Sequence, residues 1–370
     1  MARILVTNFH PKGGGGHVPY VLTLTKHLNI GDNVIGVAVP RESLIYRFLS
    51  EASYPHLYEC DFPWISDKTF YDVGRLKKFR EIIRDFEPDI VHTNGVDLYT
   101  AIWSHPFKKP FKIIRTHHAV KAIKDDFYHR FIYEKSVAQN IFVSETSMKI
   151  CLDSGINLPN SIVIENGIDT EFFKPPLKDK SLLPELGIDD DTFCFGSCAG
   201  TAPYKRVDTI IEAATRLKGA RKFAIIVLGD AGHCERLIHL AAERGVREFV
   251  YAGFHKNVIP YVSLFDVGFV LSDAVETISF AAREMMAMGK PLLSSSYSGL
   301  SENITDGVNG FLVKAGDIDG IAVAMKKFLD MPPEELQSFS ENARGKAVKS
   351  FGMDRMVELL SEVYSRTLEL

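Results

Sequence analysis

The feature that most constrains this chain is an alternation, sustained from end to end, of short apolar β-rich runs with helical stretches. In the first half the runs are ARILVTNF (2–9), NVIGVAV (33–39), DIVHTNG (89–95), KIIRTHH (112–118), NIFVSE (140–145) and SIVIENG (161–167). In the second they are TFCFGSCAG (192–200), KFAIIVLGD (222–230), EFVYAGF (248–254), VGFVLS (267–272), PLLSSS (291–296) and GFLVKAG (310–316). Strands apolar on both faces need cover on both faces, the condition of a parallel sheet flanked by helices. The repeated strand-then-helix order predicts an α/β chain of two doubly wound units. At 370 residues the chain exceeds one ordinary core and suits two domains of about 150–200 residues each. The Pro-, Lys- and Asp-rich FFKPPLKDKSLLPELGIDDD (172–191) reads as a linker between 1–171 and 192–352, and 353–370 as a closing amphipathic helix.

Composition narrows the class. With 46% apolar and 24% charged residues this is a globular chain, and a net charge of −4 speaks against bulk nucleic-acid binding. No apolar run reaches the roughly 18 residues of a membrane helix, and MARILVTNFH has no signal-peptide pattern, so a cytoplasmic protein is expected. Five scattered cysteines, an odd number, predict buried thiols rather than a disulfide framework or a metal site; no metal or cofactor is expected. Charge is uneven, however: residues 75–135 hold thirteen Lys and Arg against eight Asp and Glu, in clusters such as RLKKFREIIR and HPFKKPFKIIR. Taken singly these read as solvated helix faces. Together they would also suit anionic lipid head groups at the inner face of a membrane, or a phosphorylated acceptor.

In doubly wound sheets ligands bind outside the carboxyl ends of the strands, so the loops there are the place to look. Four stand out. In NFHPKGGGGHVPYV, the glycines Gly13, Gly14, Gly15 and Gly16 join a strand to a helix and allow close approach of an anion to unpaired amides. The spacing matches neither G-x-G-x-x-G nor a P-loop. In RTHHAV, His117 and His118 end a strand; because side chains alternate, only one of them faces a ligand. In CAGTAPYKRVD, Lys205 and Arg206 sit at a helix entry, where the dipole does not favour cations and a diphosphate would. In DAVETISFAAREMMAMGKP, Glu276 falls in a loop and Glu284 in the helix after it. A carboxylate in so apolar a helix is costly unless it accepts hydrogen bonds, as from sugar or ribose hydroxyls.

These residues resemble the retaining glycosyltransferases of the GT-B fold, family 4, the group-1 glycosyltransferases. The resemblance spans nearly the whole chain. Glu276-x7-Glu284 followed by MMAMGKPLL is similar to the family's E-x7-E segment, and SYSGLSENITDGVNGFLV (296–313) to the loop and strand that follow it. IENGIDTEFFKP (164–175) resembles the run ending the first domain, and the terminal helix one that crosses back to that domain.

The resemblance implies two Rossmann-like domains facing across a cleft. It implies transfer from a nucleotide-diphospho-sugar, with UDP preferred, to a glycan or lipid-linked acceptor, with retention and without a metal. It places Gly13–Gly16 near donor phosphates and acceptor, His118 at the transferred sugar, Lys205 on the diphosphate and Glu276 on sugar hydroxyls. It places the amides of Thr277, Ile278 and Ser279 at the phosphates, Glu284 on the ribose, and Glu302 in the same pocket. Two departures stand out. The family's Arg five positions before the phosphate-binding Lys is here Gly200, which leaves Arg206, or in part Thr201, as a substitute, and its Gly-Phe-Gly after the first Glu is here Thr277-Ile278-Ser279. A nucleotide-sugar epimerase and a nucleotide-sugar-binding regulatory subunit remain the alternative readings.

Overall fold

The computed structural model describes residues 2–13, 15–28, 33–63, 72–105, 110–217 and 219–369. The chain divides into two compact units: Met1–Gly167 with Met353–Leu370, and Ile168–Gly352.

Among the described residues, unit 1 holds a parallel seven-stranded sheet in the order β3-β2-β1-β4-β5-β6-β7. Its strands are β1 (Ala2–Thr7), β2 (Asn33–Val39), β3 (Leu57–Glu59), β4 (Ile90–Thr93), β5 (Lys112–His117), β6 (Gln139–Phe142) and β7 (Ser161–Val163). Its first helices are α1 (His17–His27), α2 (Leu44–Glu51), α3 (Val73–Phe86), α4 (Asp97–Trp103), α5 (Phe127–Phe131) and α6 (Glu145–Leu152). α3 shows how the sequence builds them. Asp72 caps it by accepting from the Arg75 amide at 3.1 Å, and Leu76, Phe79, Ile82, Ile83 and Phe86 bury one face at helical spacing. β3 was not among the anticipated strands: at three residues, on an edge and half exposed, it carries no periodic signal.

Unit 2 holds a parallel six-stranded sheet in the order β10-β9-β8-β11-β12-β13. The strands are β8 (Phe193–Ser197), β9 (Phe223–Leu228), β10 (Phe249–Gly253), β11 (Val267–Val270), β12 (Leu292–Ser295) and β13 (Gly310–Val313). The helices are α7 (Val207–Ala214), α8 (Cys234–Glu243), α9 (Ile259–Ser263), α10 (Phe280–Ala287), α11 (Ile318–Asp330) and α12 (Pro333–Phe351). Residues 172–191, read above as a linker, run along this unit: Leu183 and Ile188 are buried in its core, and the Asp179 amide donates to Ser263 Oγ at 3.0 Å. Gly196 in mid-strand is a packing requirement, since a Cβ there would lie 2.2 Å from the Phe265 ring.

The last helix, α13 (Met353–Glu369), belongs to unit 1. Met356, Leu360, Val363 and Tyr364 pack with Ile4, Val6, Tyr20 and Val21 in one core cluster. A buried chain of hydrogen bonds ties it down: Tyr364 OH to His92 Nδ1 at 2.7 Å, His92 Nε2 to Thr116 Oγ1 at 2.6 Å, and Thr116 Oγ1 to Tyr20 OH at 3.2 Å. Among the described residues no helix is long and apolar enough to cross a membrane.

Candidate active site

In unit 1 the carboxyl ends of β1, β4 and β5 gather imidazoles and amides. Alternation along β5 decides between the two histidines. His117 points to one face, stacked on Phe142 (centroids 4.3 Å apart) with Nε2 3.1 Å from Asn140 Oδ1. His118 points to the other, 4.2 Å from the His17 ring and 4.8 Å from the Tyr20 ring. Asn94, just past β4, orients it. Asn94 Nδ2 donates to the Thr7 carbonyl at 2.9 Å, so its Oδ1 is the acceptor for His118 Nε2 at 2.8 Å. His118 therefore carries its proton on Nε2, and Nδ1 is the acceptor nitrogen of a neutral ring.

Two histidines that sequence reading passed over complete the group. Asn8, just past β1, accepts from the His10 amide at 3.1 Å and donates to His17 Nδ1 at 2.8 Å. The His10 and His17 rings lie 4.4 Å apart. Burial lowers the His10 pKa. Burial, then the charges of His10 and Arg115, takes His17 down to about 3. His118 is pushed well below its ordinary value by burial first, with His17, Arg115, His92 and His117 adding to it. The cluster is uncharged at neutral pH, a surface that trades hydrogen bonds with hydroxyls. Of the glycines, Gly15 has φ +48, and a Cβ at Gly13 or Gly15 would meet nothing within 4 Å. Gly16 caps α1, and Gly14 lies outside the described residues.

In unit 2 the loops after β8 and β11 interlock. Lys205 Nζ pairs with Glu276 Oε2, and Ser272 Oγ donates to the same oxygen at 3.3 Å. Arg206 Nη1 pairs with Asp273 Oδ2 at 2.5 Å and its Nε with Asp208 Oδ1 at 3.3 Å, so its charge is already met by two carboxylates. The Asp273 amide donates to the Tyr204 carbonyl at 3.0 Å. At Gly200 the backbone has φ +88, and Gly229 packs so closely that its Cβ would lie 2.5 Å from Gly200 Cα. A side chain such as arginine at position 200 would be strained there.

Glu284 follows one turn into α10. Its carboxylate has no hydrogen-bond or ion-pair partner among the described residues, and burial raises its pKa to about 7. Its charge in turn is one cause, after burial, of the raised pKa of the Cys198 thiol at the end of β8. Thr277, Ile278 and Ser279 lead into α10, where Ser279 Oγ accepts from the Ala282 amide at 3.4 Å. Glu302 lies in the 3-10 turn Ser298–Asn303 beyond β12. Among the described residues no group of three or more His, Cys, Asp or Glu is placed to hold a metal ion.

Two family profiles cover most of the chain: Glycosyl transferases group 1 over residues 179–346, and Glycosyltransferase Family 4 over residues 14–172. The chain belongs to the group 1 glycosyltransferases. EpsD of Bacillus subtilis is 29% identical over 208 residues, covering 55% of this chain and 54% of that protein. The UDP-Gal:alpha-D-GlcNAc-diphosphoundecaprenol alpha-1,3-galactosyltransferase of Escherichia coli is 24% identical over 236 residues, 62% of this chain and 60% of that enzyme. Each alignment thus spans little more than half of the relative. HepE of Anabaena, in complex with UDP, superposes with a TM-score of 0.82 over 99% of this chain and 100% of its own at 19% identity; it is also known in complex with UDP-glucose. The fold of this glycosyltransferase is GT-B.

Proposed function

We propose that this glycosyltransferase moves a sugar from a UDP-sugar to a hydroxyl of a glycan or lipid-linked acceptor with retention at the anomeric carbon, and that unit 2 binds the donor. The observation that carries the reading is Glu284, a carboxylate raised to about 7 by burial and left without a partner among the described residues. A pair of ribose hydroxyls supplies the donors it lacks. The amides of Thr277 to Ser279 and the start of α10 then receive the diphosphate. Lys205 exchanges its Glu276 partner for the departing phosphate, and Glu276 turns to sugar hydroxyls. Neutralising that leaving group is the main electrostatic task of the reaction. The acceptor hydroxyl passes its proton to the leaving phosphate on the same face of the sugar, while His118, its Nε2 proton held by Asn94, accepts from a hydroxyl of the transferred sugar at Nδ1.

Support comes from the relatives: the galactosyltransferase is named for UDP-Gal and a diphosphoundecaprenol-linked sugar, and HepE is known with UDP and UDP-glucose. Peripheral contact with an anionic membrane is part of the proposal, resting on the basic excess of residues 75–135 and on Phe127 and Phe131, 88% and 50% exposed within it. Vesicle pelleting that does not rise with anionic lipid content removes that component.

The test is a thermal-shift panel of UDP, GDP, ADP and their common sugars in EDTA, on wild type and Glu284→Ala. A ligand that binds only the folded state raises stability by mass action. We expect UDP and one UDP-sugar to raise Tm in wild type and not in the variant. A well-folded wild type that responds to none of them overturns the proposal.

A further inference from the structure

The loop between β11 and α10 departs from its family in a way that the structure compensates. Where the resemblance places glycines, this chain has Thr277 and Ser279, yet Ser279 still takes φ +56, and Val275 in the same loop takes φ +63. Glycine adopts such backbone freely; any other residue does so only when its surroundings hold it there. Ser279 Oγ secures the helix start, and the backbone at Ile278, a buried residue, is held from outside the loop.

The hold comes from behind. Asn303 Nδ2 donates to the Ile278 carbonyl at 2.6 Å, and Asn303 Oδ1 accepts from Arg283 Nε at 3.0 Å. Arg283 is 0% exposed and stands first among the largest fully buried side chains. Its guanidinium lies 3.9 Å from the centroid of the Phe351 ring. Asn303 is fixed in turn through its carbonyl, which accepts from Asn309 Nδ2 at 3.1 Å. On α10 the neighbours of Arg283 on the buried side are Ala282, Met285 and Met286. An apolar residue would fill that position without desolvating a charge, so packing alone does not account for an arginine there.

We infer that Arg283 and Asn303 are positioning residues for the donor: through the Ile278 carbonyl they hold the Thr277–Ser279 amides and the start of α10 in the shape that receives a diphosphate. The inference rests on the reading of unit 2 as the donor site. It also explains how the loop works without the family's glycines. A glycine-rich loop reaches the required backbone by itself, whereas this one is clamped into it by a pair of side chains twenty positions apart.

Asn303→Asp separates positioning from folding. It keeps an acceptor for Arg283, now an ion-pair partner, and replaces the donor to the Ile278 carbonyl with a repelling oxygen. Titration calorimetry with UDP, and NMR titration with uridine, on wild type and Asn303→Asp are the measurements. We expect Tm within a few degrees of wild type, UDP binding weakened at least tenfold, and uridine binding unchanged, because the nucleoside has no phosphate to meet the loop. Equal UDP affinity in the two proteins overturns the inference, as does an equal loss for UDP and uridine, which marks a general structural role. If Asn303→Asp does not fold, Arg283→Met carries the same comparison, since it removes the buried charge and retains apolar volume; weakened UDP with intact uridine supports the inference and unchanged UDP overturns it. A wild type that binds neither ligand overturns the donor-site reading instead.

Discussion

At the carboxyl ends of β1, β4 and β5, unit 1 presents neutral imidazoles and amides; at the corresponding ends of β8 and β11, unit 2 presents paired charges and an isolated carboxylate. The sheets beneath are built alike, parallel and doubly wound. What differs is confined to the loops and the first turns of the helices, where a side chain can change without disturbing a core. One architecture thus carries an uncharged hydrogen-bonding surface in one unit and a charged one in the other, which the proposal reads as sites for hydroxyls and for a nucleotide's phosphates and ribose. It also gives the buried histidines of unit 1 and Glu284 of unit 2 opposite responses to pH.

The largest expected effect sharpens that contrast. His92 and His117, both buried, have folded pKa values lowered to about 3 by burial, so their contribution is complete above the ordinary value of 6.5 and is lost as pH falls below it. At pH 5 each should cost roughly 2 kcal/mol relative to pH 7.5. Both tryptophans, Trp64 and Trp103, fall within the first 167 residues of the sequence. Urea unfolding followed by tryptophan fluorescence should therefore shift strongly to lower midpoint in mild acid. Hydrogen exchange in β8 to β13 should change much less, and a parallel loss in both units would break the comparison.

Next in size is Leu360→Ala. The residue is 0% exposed in the core of unit 1, and such truncations cost about 2–5 kcal/mol. Fluorescence should report that loss, while UDP binding, assigned to unit 2, should stay within about twofold, a free-energy change under roughly 0.5 kcal/mol.

Glu284→Gln acts on the other side. With its pKa raised to about 7, the wild-type carboxyl favours folding while protonated, and that stability is lost as pH rises from 4.5 through 7. The variant should gain about 1–2 kcal/mol at pH 8 and nothing at pH 4.5. A Tm profile of the variant that still falls over that window would place the titrating group elsewhere. The smallest effect is expected at Lys222, whose ion pair with Asp189 is exposed on both sides. Lys222→Ala should leave Tm unchanged, as is usual for exposed pairs, and a clear fall would mean that 172–191 is held to unit 2 mainly by charge.

Much of the fold was legible because it rests on local pattern. Twelve apolar runs became twelve strands, and the missing β3 is the one too short and too exposed to leave a pattern. Glu276, Glu284 and Lys205 were visible because apolar or helix-entry surroundings make charges conspicuous. His10 and His17 stood in plain view in the same quoted stretch as the glycines. Asn8 lies in the same stretch, but what gives them significance is His118, about a hundred residues away, which no local pattern marks.

By itself, then, the sequence determined the alternation of strands and helices, the two sheets, and the loops that would carry polar side chains. Those follow from periodicity and from the residue types that punctuate it, which act over a few positions. Only the tertiary structure decided that His118 rather than His117 joins the imidazole cluster and that Arg206 is held by Asp273. It alone showed that Arg283 reaches the loop at Ile278 through Asn303. Each of these is a contact between segments far apart in the chain, and such contacts are settled by how the elements pack, which no local pattern records.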